Sequence, residues 1–226
     1  MHIADLHPWP QTYPEAVAQQ RLLAGGVRLV NELPGVIRTV AGVDVSYEKH
    51  GDLFFAGVVI LAYPGLAVIE EQTAVTTVTF PYIPGLLSFR ELPVLLEAFR
   101  QIENVPDVVL VDGQGLAHPR RFGLACHLGL WLDLPTIGCA KSRLCGGAAE
   151  PGAKKGERAR LLLDGVAVGE VVRTRDRVRP MYISPGHKID IEGAVDLVLQ
   201  CCTRYRLPEP TRLAHQLTNR VRKEGR

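Results

Sequence analysis

The sequence predicts an α/β protein built on one mixed sheet, three antiparallel strands followed by parallel strands, with helices on both faces. Two patterns carry that prediction. Three apolar, strand-like stretches (36–47, 53–62 and 67–78) follow one another across short turn-forming separators, as in an antiparallel meander. Beyond residue 93, short apolar runs alternate with helix-spaced segments, the order that makes parallel strands with crossover helices. The 226 residues suffice for one substantial core, so a single domain spanning 1–226 is expected, with a basic tail over about 218–226.

Taken in order, 14–30 has helical spacing and good helix formers, stopping near Asn31 and Pro34. The separators of the meander are Lys49-His50-Gly51-Asp52 and Tyr63-Pro64-Gly65. A helix is expected over 93–101, because proline is well tolerated at a first helical position. That start leaves Glu91 in front of the helix. The alternative, a capping box from Ser88 to Glu91, would push Pro93 to the fifth helical position, where its ring clashes. Residues 108–111 read as a strand buried on both faces, 120–132 as a helix and 136–140 as a short strand. The Gly-, Ala- and Pro-rich segment 145–157 reads as a mobile surface loop. A hairpin is expected from 159–163 and 166–173 across Asp164-Gly165, then helices over 188–202 and 211–222 separated by Leu207-Pro208-Glu209-Pro210.

Composition excludes several classes. No window has the apolar span a bilayer requires, and the N-terminus lacks a basic segment followed by an apolar one, so a cytoplasmic protein is expected. The five cysteines are odd in number and form no C-x-x-C, which argues for free thiols over disulfides or structural zinc. The net charge of +2 hides an asymmetry: residues 1–100 carry 6 Lys+Arg against 10 Asp+Glu, whereas 101–226 carry 20 against 14. The basic runs at 154–158, 173–179 and 220–223 suit a polyanion partner, or equally a solvated surface.

Three acidic residues stand where apolar stretches stop. Asp44 interrupts Val40-Ala41-Gly42-Val43-Asp44-Val45, and strand alternation puts it on one face with Gly42 and Ser46, where Gly42 leaves room for a ligand. Asp112 ends Val108-Val109-Leu110-Val111 and opens Gly113-Gln114-Gly115; the same residues are ordinary turn chemistry. A dinucleotide fingerprint is excluded, since His118 and Pro119 occupy the region of its third glycine. With Glu91 these carboxylates imply a divalent, oxygen-loving cation such as Mg²⁺. Lys141, directly after 136–140, is either a strand terminator or a point charge for a phosphate or leaving oxygen. His118 and His215 are surface histidines, or ligands and proton carriers. The loop Pro81-Tyr82-Ile83-Pro84-Gly85-Leu86-Leu87 either tucks into the core or forms a rigid apolar wedge between bases.

These segments together resemble the endonuclease V (deoxyinosine 3′-endonuclease) family: Ala41 to Ser46, Phe80-Pro81-Tyr82-Ile83-Pro84-Gly85, Phe89-Arg90-Glu91, Val111 to Arg120, Gly123-Leu124-Ala125 and Gly138-Cys139-Ala140-Lys141-Ser142. The resemblance covers roughly residues 14–217. It implies a ribonuclease-H-like fold and Mg²⁺-dependent hydrolysis, with Mn²⁺ an expected substitute. The implied substrate is DNA containing inosine, nicked at the second phosphodiester bond 3′ to the lesion. It implies Asp44, Glu91 and Asp112 as metal-binding and catalytic acids, Lys141 as a catalytic cation, and His118 and His215 as active-site residues. Tyr82 becomes the wedge. Pro81, Ile83, Gly85, Leu87, Gly113, Gly138 and Ser142 are the remaining expected substrate contacts. No membrane or oligomer is required. An inosine-specific ribonuclease of the same fold and a non-catalytic nucleic-acid-binding protein stand as alternatives.

Overall fold

The computed structural model describes residues 1, 3–48 and 51–224. Among them run β1 (Thr39–Tyr47), β2 (Leu53–Ala62), β3 (Val68–Thr77), β4 (Val108–Val111), β5 (Thr136–Ala140), β6 (Arg158–Leu163), β7 (Val166–Val172) and β8 (Met181–His187). The helices are α1 (Tyr13–Ala24), α2 (Ser88–Phe99), α3 (Leu124–Leu132), α4 (Ile191–Cys201) and α5 (Glu209–Glu224). All strands join one eight-stranded sheet in the order β3-β2-β1-β4-β5-β8-β7-β6. β1, β2 and β3 form the expected antiparallel meander, and β4 and β5 extend it in parallel from β1. The remaining three strands are antiparallel again, each to its neighbour.

The central strands are apolar on both faces because both are covered. Ala41, Val43, Val58, Ile60, Val109 and Val111 pack under α2 and α3. Val40, Val59, Leu61, Val108, Leu110 and Ile137 pack under α4 and α5. Each of the valine, isoleucine and leucine side chains contributes about 1.5–3 kcal/mol by leaving water. No helix among the described residues is long and apolar enough to cross a membrane. The five cysteines are free, as expected.

Several boundaries differ from the expected ones. α1 ends at Ala24 because Gly25 and Gly26 follow, the Gly25 amide donating back to the Leu22 carbonyl. α2 begins at Ser88, so Glu91 lies inside the helix rather than before it, and Pro93 sits in the helix interior. The lost amide bond is offset by burial of Phe89, Leu92, Leu95, Leu96 and Phe99 on the same helix. α3 starts at Leu124, after a turn in which Arg121 takes a left-handed conformation. β8 was not anticipated at all. Loop 145–157 is tied down: the buried Arg173 guanidinium donates to the carbonyls of Pro151 and Gly152 and pairs with Glu150. Arg173 and Arg158, which pairs with Glu170, Glu192 and Asp196, are therefore consumed internally rather than offered to a polyanion. The Lys49-His50 part of the first separator lies outside the described residues.

Ahead of α1, the N-terminal segment straps onto the outside of α3. The Ala4 amide donates to the Trp131 carbonyl at 2.8 Å, and Trp9 stacks on Trp131 with ring centroids 5.5 Å apart.

Candidate active site

Parallel pairing of β1 with β4 sets Val43 opposite Val111, so the next residue on each strand, Asp44 and Asp112, emerge side by side. β5 is in register beside them, with Gly138 opposite Val111, and Lys141 just beyond its end donates from Nζ to Asp112 Oδ2. The third contribution comes from α5. His215 Nδ1 lies 3.0 Å from Asp44 Oδ2, and Thr218 Oγ1 donates to the same oxygen at 2.8 Å. Asp44, Asp112 and His215 each place a ligand atom within 4.8 Å of the others.

Glu91 lies outside that set among the described residues, so the expected trio of acids is replaced at this spacing by two acids and an imidazole. Glu91 nevertheless lies within their field. Burial, and then the negative charges of Asp44 and Asp112, hold its carboxyl well above the usual range. Asp44 is also raised, by burial first and by Asp112 second, against the lowering effect of Thr218 and His215. Buried carboxylates that repel one another call for a cation, and a donor set rich in carboxylate oxygen fits Mg²⁺ or Mn²⁺.

The space beside Gly42 is not open to a ligand. A Cβ there would fall 2.0 Å from the Pro210 carbonyl carbon, because the first turn of α5 packs directly on the strand. That close approach is what delivers His215 and Thr218 to Asp44. Thr218, fully buried, was not singled out from the sequence; its only trace there is the three-residue spacing from His215 on one helix face. Arg206 was also missed. Its Nη2 donates to the Lys141 carbonyl at 2.8 Å and to the Pro180 carbonyl at 2.7 Å, anchoring the backbone that carries the lysine.

Tyr82 stands out from its loop, 63% exposed, and the turn behind it borders a pocket of about 130 Å³. Of the expected contacts, Tyr82, Gly85 and Leu87 line this pocket, joined by Ser88, Gln114 and Leu124. Pro81, Ile83, Gly113, Gly138 and Ser142 do not line it. Ile83 packs instead against the cluster of Leu86 and Phe89. A Cβ on Gly138 would lie 2.3 Å from the Gly115 amide, so Gly138 supports the Asp112–Gly115 turn from below. The Ser142 carbonyl accepts from Gln114 Nε2 at 2.9 Å and orients that side chain.

Gly85 adopts φ +80°, which a side chain would strain, and its carbonyl is gripped three times: by Gln20 Nε2 at 3.0 Å, Arg120 Nη2 at 2.6 Å and His118 Nε2 at 3.0 Å. A carbonyl only accepts, so His118 donates from Nε2, and its Nδ1 accepts the Arg120 amide at 3.1 Å. Burial and the nearby Arg120 charge bring its pKa down to about 4. The structure thus places His118 beneath the Tyr82–Gly85 loop, with one ring nitrogen on the Gly85 carbonyl and the other on the Arg120 amide.

Residues 21–216 match the family model for endonuclease V. The chain belongs to the endonuclease V family. That makes it an endonuclease, and so a nuclease and a hydrolase. The endonuclease V of Gloeobacter violaceus is 52% identical over 222 residues, which cover 96% of this chain and 89% of that protein. The crystal structure of endonuclease V from Streptomyces avermitilis is 42% identical with a TM-score of 0.90, covering 100% of this chain and 99% of that one. The endonuclease V of Ciona intestinalis, crystallised with a 24mer DNA containing an inosine followed by a ribo-adenosine, is 28% identical with a TM-score of 0.84. The match covers 94% of this chain and 98% of that one. The mixed sheet and these endonuclease V neighbours make the fold ribonuclease-H-like.

Proposed function

We propose that this endonuclease V recognises deaminated bases in DNA, chiefly deoxyinosine, and nicks the strand at the second phosphodiester bond 3′ to the lesion with Mg²⁺. The observation that carries the reading is the pair Asp44 and Asp112 with His215 within 4.8 Å, on the same molecule as a small pocket behind an exposed tyrosine. Family membership and the inosine-containing DNA held by the Ciona intestinalis relative support it.

In this reading Asp44 and Asp112 hold the cation, with His215 beside them and Glu91 behind. Bound there, Mg²⁺ (or Mn²⁺) would polarise the phosphate and make water more nucleophilic near neutral pH. Lys141, held against Asp112 and steadied through its carbonyl by Arg206, offers positive charge where the departing 3′ oxygen develops its own. Thr218 and His215 fix the orientation of the Asp44 carboxylate. Tyr82 fills the gap left by the extruded base. A mispaired hypoxanthine costs less to extrude than a paired base, which supplies part of the selectivity. His118 acts by shaping the Gly85 turn. Gly113, Gly138 and Ser142 act by supporting the turn at Asp112 and Gln114.

The test is incubation of the protein and Mg²⁺ with a duplex carrying one inosine, against EDTA and an undamaged duplex, with cut positions mapped. A single nick one nucleotide beyond the inosine is expected, absent from both controls. Intact inosine strands would remove the reading. A matched inosine-containing RNA in the same assay separates deoxyribonuclease from ribonuclease.

A further inference from the structure

One polar side chain in the pocket is unused so far. Ser88 opens α2, is 3% exposed and lines the pocket with Tyr82 and Gly85. Its Oγ lies 3.1 Å from Nδ1 of His127 on α3. His127 Nε2 lies 2.8 Å from Nε2 of His7, in the N-terminal strap, and His7 Nδ1 lies 3.0 Å from the Pro8 carbonyl oxygen. Both rings are buried among Trp9, Phe89 and Trp131. That burial pushes both imidazoles toward the neutral form.

The far end of this chain sets its direction. A carbonyl oxygen can only accept, so His7 carries its proton on Nδ1 and accepts at Nε2. His127 must then donate from Nε2, which leaves its Nδ1 an acceptor. Ser88 must therefore spend its single O–H on His127. Only lone pairs remain on this hydroxyl for any group that reaches it from the pocket.

We propose that Ser88 is a specificity residue that accepts a hydrogen bond from the ring N–H of the extruded base, with His7 and His127 as positioning residues that hold it in that state. The proposal rests on the deaminated-base reading given above. Deamination of adenine replaces an amine by a carbonyl and puts a proton on the neighbouring ring nitrogen, turning an acceptor into a donor. A fixed acceptor reads that change: hypoxanthine is bonded, while adenine would set a lone pair against a lone pair. Guanine carries the same ring proton natively and must be refused by another part of the pocket.

Imidazole ¹⁵N NMR of the wild-type protein at neutral pH tests the relay directly. Protonated Nδ1 on His7 and protonated Nε2 on His127 are expected, and the opposite tautomer on His127 overturns the proposal. The functional arm is the ratio of kcat/KM for duplexes carrying inosine or adenosine at one position. Ser88→Ala is expected to lower that ratio about tenfold, through inosine alone, and Ser88→Thr to restore it. His7→Phe keeps an aromatic ring in the strap but frees the His127 tautomer, so the ratio should fall by a similar factor. Equal losses on both duplexes, as a purely structural role would give, or an unchanged ratio in both variants, overturn the proposal. A wild-type protein that cuts no inosine duplex overturns the reading beneath it and the proposal together.

Discussion

Replacing Gly42 by alanine would test the geometry of the candidate centre through one added carbon. That carbon would lie 2.0 Å from both the carbonyl carbon and oxygen of Pro210 and 2.6 Å from the Thr211 amide. All three are backbone atoms, so no rotamer change relieves the clash. Ordinary contact begins near 3.4 Å, and α5 must withdraw by the difference, 3.4 − 2.0 = 1.4 Å, along that line. His215 and Thr218 travel with it, and bonds to Asp44 now 3.0 and 2.8 Å long stretch beyond useful range. Overpacking costs about 1–3 kcal/mol, and loss of bonds to a buried carboxylate adds about 1.5–3 kcal/mol. For a chain of this size, each kcal/mol lowers Tm by roughly 2–4 °C, so a fall of about 5–24 °C is expected in calorimetry. A shift of about 1 Å at a reacting centre costs on the order of hundredfold in rate, to be read as inosine nicking. A Gly42→Ala protein that melts within about 2 °C of wild type and nicks normally would refute the seating of α5 on β1.

Further perturbations separate the remaining roles. Asp112→Ala should abolish nicking while inosine-duplex binding survives in low salt; undiminished nicking would remove Asp112 from the centre. Glu91 is raised when folded, so the folded chain retains a proton that the unfolded carboxylate releases above about 4.5. The metal-free protein therefore loses stability as pH rises from that value toward the folded pKa, and Glu91→Gln should melt higher than wild type at pH 8 without metal while nicking is lost. Equal melting there would contradict the buried repulsion. His118 has the opposite sign: its folded pKa of about 4 lies below the ordinary 6.5, so stability erodes as pH falls through that interval. Urea unfolding of His118→Gln should show a flatter slope across it. Tyr82→Ala should weaken binding of a paired inosine duplex by roughly tenfold or more, with a smaller effect on single-stranded inosine, since stacking is worth about 1–3 kcal/mol per base.

The sequence stated some of this plainly and concealed the rest for physical reasons. β2, β4 and β5 have the limits expected of them, because uninterrupted apolar runs between turn residues admit few other readings. β8 was not anticipated: it contains Pro185 and Gly186, two residue types that strands disfavour. Its ladder with β7 ends at Ile183, and a register break between Thr136 and Ile137 accommodates Pro185 on the other side, so the missing amide is tolerated. The same weight given to proline misplaced Glu91: local preference argued for Pro93 at a helix start, and the apolar face of α2 prevailed. Asp44 and Asp112 were legible as carboxylates ending apolar strands. His215 was weakly so, and Thr218 was not, since their importance arises only when α5 packs on Gly42, a contact between residues remote in sequence.

That remoteness has a temporal side. His215 and Thr218 are 171 and 174 positions downstream of the aspartate they hold. During synthesis both strand acids are made long before α5. A polypeptide halted before Glu209 bears Asp44 and Asp112 yet lacks the two residues that orient Asp44, so this cluster forms only once α5 has been made.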